Sequence, residues 1–142
     1  MHLSIEPADY KDVTSQDFWE CLNALTPTKP ADYSLAAVAY NHRWGYHTLV
    51  AKLGERIVGT LTLFIEQKYI HGCGKVGHVE DVAVHREFQK EGIGQKLMER
   101  AVELAKANGC YKLTLDCTEE VAPFYEKVGF RRYNLGLRLD LD

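Results

Sequence analysis

Apolar and polar residues alternate along three neighbouring stretches in the middle of the chain: HTLVAK (47–52), RIVGTLTLFIEQ (56–67) and KVGHVEDVAV (75–84). A period of two is the mark of a strand with one face buried. The turn residues Leu53-Gly54-Glu55 and IHGCG separate the stretches, so the pattern predicts an antiparallel meander. LSIE near the N-terminus is a further short strand that Pro7 confines to an edge or an end. Elsewhere the period lengthens to that of a helix. Ser15 can cap a helix with Phe18, Cys21, Leu22 and Leu25 on one face. TPTKPAD breaks it, and DYSLAAVAYNHRW is predicted helical again with Leu35, Val38 and Ala39 inward. Ile93 to Ala107 is the clearest helix: Leu97, Met98, Ala101, Leu104 and Ala105 form its apolar face, and Asn108-Gly109 stops it.

The last third continues as strand, helix, strand. YKLTLDC places Leu113 and Leu115 on one face and Asp116 on the other. Thr118 is expected to cap a short helix with Glu119 and Glu120 in its first turn and Phe124-Tyr125 in its body, ending at Gly129. FRRYNLGLRLDL is expected to be a final strand. A meander followed by strand–helix–strand–helix–strand predicts an α/β fold on a mixed central sheet. At 142 residues, 46% apolar and 26% charged, the sequence reads as one globular domain over residues 1–142. Its net charge of −3 offers nothing to nucleic acid or an anionic membrane. No apolar run approaches the ~20 residues of a membrane span. The acidic N-terminus has no apolar signal core. The four cysteines are expected to be reduced thiols, and a cytoplasmic location follows from both points.

Candidate chemistry concentrates in GHVEDVAVHREFQKEGIGQKL (77–97). An acid-bearing strand runs into Gln89-Lys90-Glu91-Gly92-Ile93-Gly94 and then a helix. Glycines let successive backbone N–H groups face one concave site. The helix start adds unpaired N–H groups and partial positive charge, which suits phosphate. The pattern is neither a P-loop nor the G-x-G-x-x-G dinucleotide fingerprint. An ordinary tight turn before a helix would also account for it. Glu80 and Asp81, adjacent on a strand, should point to opposite faces, so they are no paired-carboxylate acid/base dyad.

Taken in order, GHVEDVAV, QKEGIGQKL, GCYKLTLDC and FYEKVGF resemble the GNAT family of acetyl-CoA-dependent N-acetyltransferases. Together with IEQKYIHGCGKVGHVEDVAV they resemble its members that acetylate glucosamine 6-phosphate. The resemblance runs from about Ile65 to Phe130. It implies a GNAT fold with acetyl-CoA bound where central strands splay, direct acetyl transfer in a ternary complex, and a homodimer. It implies that Val82, Ala83 and Val84 present backbone to the pantetheine arm, and that Gln89, Lys90, Glu91, Gly92, Ile93, Gly94 and Gln95 hold the pyrophosphate. Glu80, Asp81 and Val82 would contact the amino sugar, and Asp116 would orient its amine. Tyr125 would protonate the leaving sulfur and lie against CoA. Donation from a phenol near pKa ~10 to a thiolate near ~8.5 is uphill by roughly 2 kcal/mol. Without the resemblance, Phe124-Tyr125 reads as core aromatics with a wet hydroxyl.

The sugar phosphate would fall to Thr26, to Lys68, Tyr69, Ile70 and His71, and to Arg138 of the last strand, reaching across the dimer. Lys68 also reads as a solvated surface lysine, and His71 as a partner for a turn carbonyl. Two departures stand out: Val121 replaces an asparagine that the family uses toward CoA, and the last strand is about two residues short. His71, Cys73, His78, Cys110 and Cys117 lack metal-ligand spacing, so no metal is expected. Cys110 and Cys117 have no evident base partner for a covalent acetyl intermediate. Another small amine or a peptide as acceptor, and a non-catalytic acyl-CoA-binding module, are the alternative readings.

Overall fold

A computed structural model of the protein describes residues 2–28 and 44–142. The helix expected within DYSLAAVAYNHRW therefore lies outside the described residues. The remaining elements are β1 (Leu3–Pro7), α1 (Tyr10–Val13), α2 (Gln16–Leu25), β2 (Tyr46–Leu53), β3 (Arg56–Gln67), β4 (Lys75–Val84), α3 (Ile93–Ala107), β5 (Cys110–Thr114) and α4 (Ala122–Val128). The five strands form one mixed sheet in the order β1-β2-β3-β4-β5. β1 to β4 are antiparallel neighbours, and β5 returns parallel to β4 after α3.

The two periods of the sequence build this arrangement directly. Ser15 accepts a hydrogen bond from the Phe18 N–H and starts α2, as its side chain favours. A reciprocal cap of Asp9 and Asp12 starts the single turn α1, which the hydrophobic pattern did not reveal. Helices cover both faces of the sheet. α3 lays Ile93, Leu97, Met98, Ala101 and Ala105 on Leu49, Ala51, Leu61, Leu63 and Val79. On the other face α2 packs Phe18 and Cys21 on Val50 and Ile57. Burial drives the Cys21 thiol up to about 12, so it stays protonated and packs as a small hydrophobe.

Three expectations are corrected at the C-terminal side. β5 ends at Thr114, so Asp116 lies past the strand rather than in it. α4 begins at Ala122, with Pro123 in its first turn; Thr118 supplies only its carbonyl, to the N–H groups of Val121 and Ala122. Glu119 and Glu120 therefore precede the helix. Residues 130–142 form no strand: Leu135, Leu137, Leu139 and Leu141 are 81–90% exposed, because no neighbouring strand receives their alternating face. Strict alternation also fails at Glu80-Asp81. The β3–β4 register shifts there, Asp81 takes a left-handed backbone with φ of 50°, and both carboxylates are exposed.

Leu97 is fully buried at the centre of the α3–sheet contact. Leu97→Ala is expected to lower unfolding free energy by about 2–5 kcal/mol in urea titration, while the exposed control Glu99→Ala changes it by less than about 0.5 kcal/mol.

Candidate active site

β4 and β5 pair from Lys75/Cys110 as far as His78/Thr114; β4 then continues to Val84 without that neighbour. The edge of Val82, Ala83 and Val84 facing away from β3 is thereby left open, while Ala83 and Val84 keep their pairing with β3 through Thr60 and Gly59. An open strand edge is a row of donors and acceptors to which an extended amide chain can add.

The end of β4 is fastened on several sides. His85 N–H donates to the Val58 carbonyl at 2.8 Å, and Phe88 N–H donates to the His85 carbonyl at 2.8 Å. The His85 ring joins Glu20 of α2 through Nε2 at 3.3 Å and accepts from the Glu87 N–H through Nδ1 at 3.1 Å. These two bonds are satisfied together by the neutral ring with its proton on Nε2. The Gln89 side chain donates to the Val84 carbonyl at 3.1 Å.

Beyond Gln89 the backbone turns through left-handed Lys90 (φ 66°) and Gly92 (φ 82°). The first helical bond of α3 runs from Lys96 N–H to the Gly92 carbonyl, so the N–H groups of Ile93, Gly94 and Gln95 emerge at the helix start. Gly92 has open space where a Cβ would sit; its conformation, not crowding, calls for glycine. Gly94 is the opposite case, since a Cβ there would lie 3.2 Å from the Phe124 ring. The turn thus has the exposed N–H groups, the close backbone approach and the dipole that a pyrophosphate requires.

Phe124 and Tyr125 sit side by side on α4, rings edge to face at 4.9 Å, and Phe130 meets Tyr125 edge-on at 6.1 Å. Tyr125 is half-buried. Burial first, and then the Cys117 thiol, push its phenol above the ordinary tyrosine value, so it holds its proton at neutral pH. Across the opening stand three carboxylates. Though largely exposed, Glu80 is raised above its ordinary value by partial desolvation first, then by the charges of Asp81 and Asp116, against a smaller lowering by His78. Asp116 also lies near the tail, at Gly136.

The structure thus brings together Glu80, Asp81 and Asp116, and links the Gln89–Gln95 turn to Tyr125 through Gly94 and Phe124. The predicted phosphate ligands are not gathered at one point. Lys68 is bound to Glu66 at 3.4 Å, and the His71 ring lies 4.4 Å from that of Tyr111. The Ile70–Cys73 turn, with left-handed His71, Gly72 and Cys73, precedes the first residue of β4. From Lys75 to Glu80 is about 16 Å along a strand at ~3.3 Å per residue, which separates this turn from its own chain's acidic cluster. Thr26 ends α2, and among the described residues Arg138 pairs only with Asp140, at 2.7 Å, in an exposed tail. Val121 is exposed at the start of α4. Glu66, His78 and Thr114 form a hydrogen-bonded chain beside the cleft; the sequence shows His78 only as a soft ligand without metal spacing, and gives Glu66 and Thr114 no role. The even-numbered positions His78 and Glu80 on one strand are the signal that could have found them. Among the described residues no group of three or more His, Cys, Asp or Glu has metal-site geometry, and no helix is long and apolar enough to cross a membrane.

The acetyltransferase (GNAT) family model matches residues 12–130. A glucosamine 6-phosphate N-acetyltransferase of Oryza sativa subsp. japonica is 35% identical over 145 residues, covering 95% of this chain and 85% of that protein. Among solved structures, a Trypanosoma brucei acetyltransferase superposes with a TM-score of 0.86 at 34% identity, covering 99% of this chain and 100% of that one. Arabidopsis thaliana glucosamine-6-phosphate N-acetyltransferase also gives 0.86, at 28% identity and full coverage of both chains. With its mixed sheet, parted parallel strands and glycine turn at the head of α3, the chain belongs to the GNAT family of acetyltransferases.

Proposed function

We propose that this protein transfers acetyl from acetyl-CoA to the amine of glucosamine 6-phosphate, giving N-acetylglucosamine 6-phosphate and CoA, a step toward UDP-N-acetylglucosamine. The observation that carries this reading is the meeting, where β4 and β5 part, of the acids Glu80, Asp81 and Asp116 with the open edge Val82–Val84. The glycine turn and Tyr125 complete the set. The similarity to enzymes named for this sugar phosphate supports the choice of acceptor.

In this reading the pantetheine arm adds to the edge of Val82, Ala83 and Val84, and residues Gln89 to Gln95 hold the pyrophosphate through main-chain N–H groups. A backbone N–H of β4 polarises the thioester carbonyl. Asp116 orients the acceptor amine. Glu80, whose raised pKa makes it a stronger base than an ordinary carboxylate, takes a proton from the bound ammonium. The neutral amine attacks the thioester carbon, the C–S bond breaks, and Tyr125 protonates the departing thiolate. Its half-buried phenol, raised above the ordinary tyrosine value, is a reluctant but reliably protonated donor.

The sugar phosphate is assigned to Thr26, Lys68, Tyr69, Ile70, His71 and Arg138, with a homodimer bringing part of this set to the opposite site. Three features support the dimer: Tyr69 is 95% exposed at a hairpin tip remote from its own acids, Arg138 has only Asp140 for a partner among the described residues, and four alternating leucines in the same tail face water. β5 is an edge strand of the sheet, and its Lys112 lies 5.2 Å over the ring of Tyr133 in that tail. An apolar alternating segment beside an unpaired edge is a surface for a second copy. The four cysteines, all free thiols, support a reducing, cytoplasmic setting.

Thiol release from acetyl-CoA tests the acceptor. Glucosamine 6-phosphate is expected to release CoA rapidly, with little release from glucosamine, spermidine or a short peptide; preference for any of the other three overturns the assignment. Tyr125→Phe is expected to lower kcat by on the order of 100-fold while the KM for acetyl-CoA stays within about twofold. An unchanged kcat removes Tyr125 as the proton donor. Arg138→Ala should raise the KM for glucosamine 6-phosphate by about tenfold or more and leave acetyl-CoA binding alone. Equal loss of both affinities would show that the tail serves folding rather than phosphate binding.

A further inference from the structure

A single row of side chains crosses four strands of the sheet just below the cleft. Tyr46, Phe64, His78 and Thr114 are register partners on β2, β3, β4 and β5. Tyr46 and Phe64 stack at 4.6 Å, and Phe64 and His78 at 5.8 Å, which fixes the plane of the imidazole. Both of its ring nitrogens are engaged. Nε2 meets Glu66 Oε1 at 2.9 Å, and Nδ1 meets Thr114 Oγ1 at 3.1 Å.

The position of this clamp matters as much as its bonds. His78 and Thr114 are the last register pair before β4 and β5 separate. Glu80 follows two residues later on β4, one side-chain period along the strand, and Asp116 follows two residues after Thr114.

The surrounding charges can be traced element by element. Among the described residues, His78 is faced by Glu66 from β3, with Lys68 beyond it, by Glu80 on β4 and by the Thr114 hydroxyl of β5. Glu80 is faced by Asp81 of β4, by Asp116 beyond β5, and by His78. Two of those three groups are acids, which discourage a second negative charge. His78 is the group in that set able to carry a positive one.

We propose that His78 is a positioning residue for acetyl transfer: clamped between Glu66 and Thr114 one side-chain period from Glu80, it is placed to set a positive charge beside that acid and so favour the carboxylate that receives the ammonium proton. The inference rests on the function proposed above. In that reaction the ammonium passes one proton to Glu80, which later returns it to solvent. The freed lone pair forms the N–C bond as the C–S bond breaks. The thiolate takes the Tyr125 proton, and the second amine proton restores the phenol. The clamp suits either charge state of the ring, because the Thr114 hydroxyl donates to neutral Nδ1 and accepts from protonated Nδ1. Removing a group able to carry positive charge lets Glu80 hold its proton to higher pH, so the base is lost earlier as pH falls.

The test is a 13C carboxyl NMR titration of Glu80 in the unliganded full-length protein, alongside the pH dependence of kcat/KM for glucosamine 6-phosphate. In His78→Gln both the Glu80 midpoint and the acid limb of the rate profile should rise together, by about 0.5–1 pH unit. Glu66→Gln leaves the ring in place but removes its counter-charge, so it should produce a smaller rise in the same direction. In the double variant, Glu66→Gln should add no further rise to that of His78→Gln. A Glu80 midpoint that stays put in both single variants overturns the inference and reduces His78 to sheet packing. Because the titration needs no turnover, a moved midpoint in a protein that ignores the sugar phosphate would instead defeat the proposed function.

Discussion

Backbone N–H and C=O groups that leave a sheet must find other partners or meet water. In this protein that requirement falls on one edge of the upper half of β4, because β5 stops pairing at Thr114 while β4 runs on to Val84. The remaining features of the cleft are arranged around this open edge. β3 holds the other side of β4, the His85–Glu20 contact ties its end to α2, and α3 supports it from beneath. The unpaired edge is therefore rigid, and an extended ligand can complete the sheet at little ordering cost.

The same parting explains why acids gather at the mouth. A carboxylate within a fully paired sheet would be buried without a counter-charge. At the point of separation Glu80, Asp81 and Asp116 instead face solvent or incoming substrate. The left-handed Asp81 and the register shift beside it mark where β4 departs from regular strand geometry. An irregular backbone at the place where three acids converge is the arrangement expected of a site, since structure alone gives it no advantage.

Local pattern carried most of the architecture. The period of two gave β2, β3 and β4, Ser15 marked the start of α2, and the spacing of Leu97, Met98, Ala101 and Ala105 gave α3. Gly92 is legible as part of a cradle because a left-handed backbone is a local demand, whereas the close approach at Gly94 is to Phe124, thirty residues away. What local pattern could not supply were relations between distant elements. Four leucines at alternate positions encode a strand face but not the edge that would receive it, so FRRYNLGLRLDL (130–141) has a strand's pattern while its own chain forms no strand there. The Glu66–His78–Thr114 chain joins three strands, and its members look like ordinary polar positions until the register is known. Thr118 was a plausible cap displaced by Pro123, whose ring favours the first turn and moved the helix start forward.

The contact of Gly94 with Phe124 joins two parts of the cleft that are thirty residues apart in sequence. One end of the contact belongs to the turn at the head of α3, the other to the short helix that carries Tyr125. A Cβ at position 94 would stand 3.2 Å from the Phe124 ring, which would have to give by a few tenths of an ångström to admit it. The spacing between the helix start and the tyrosine is thus set by the thickness of one aromatic ring against bare backbone. A glycine here acts as a gauge: it fixes how long a molecule must be to touch both ends of the cleft at once.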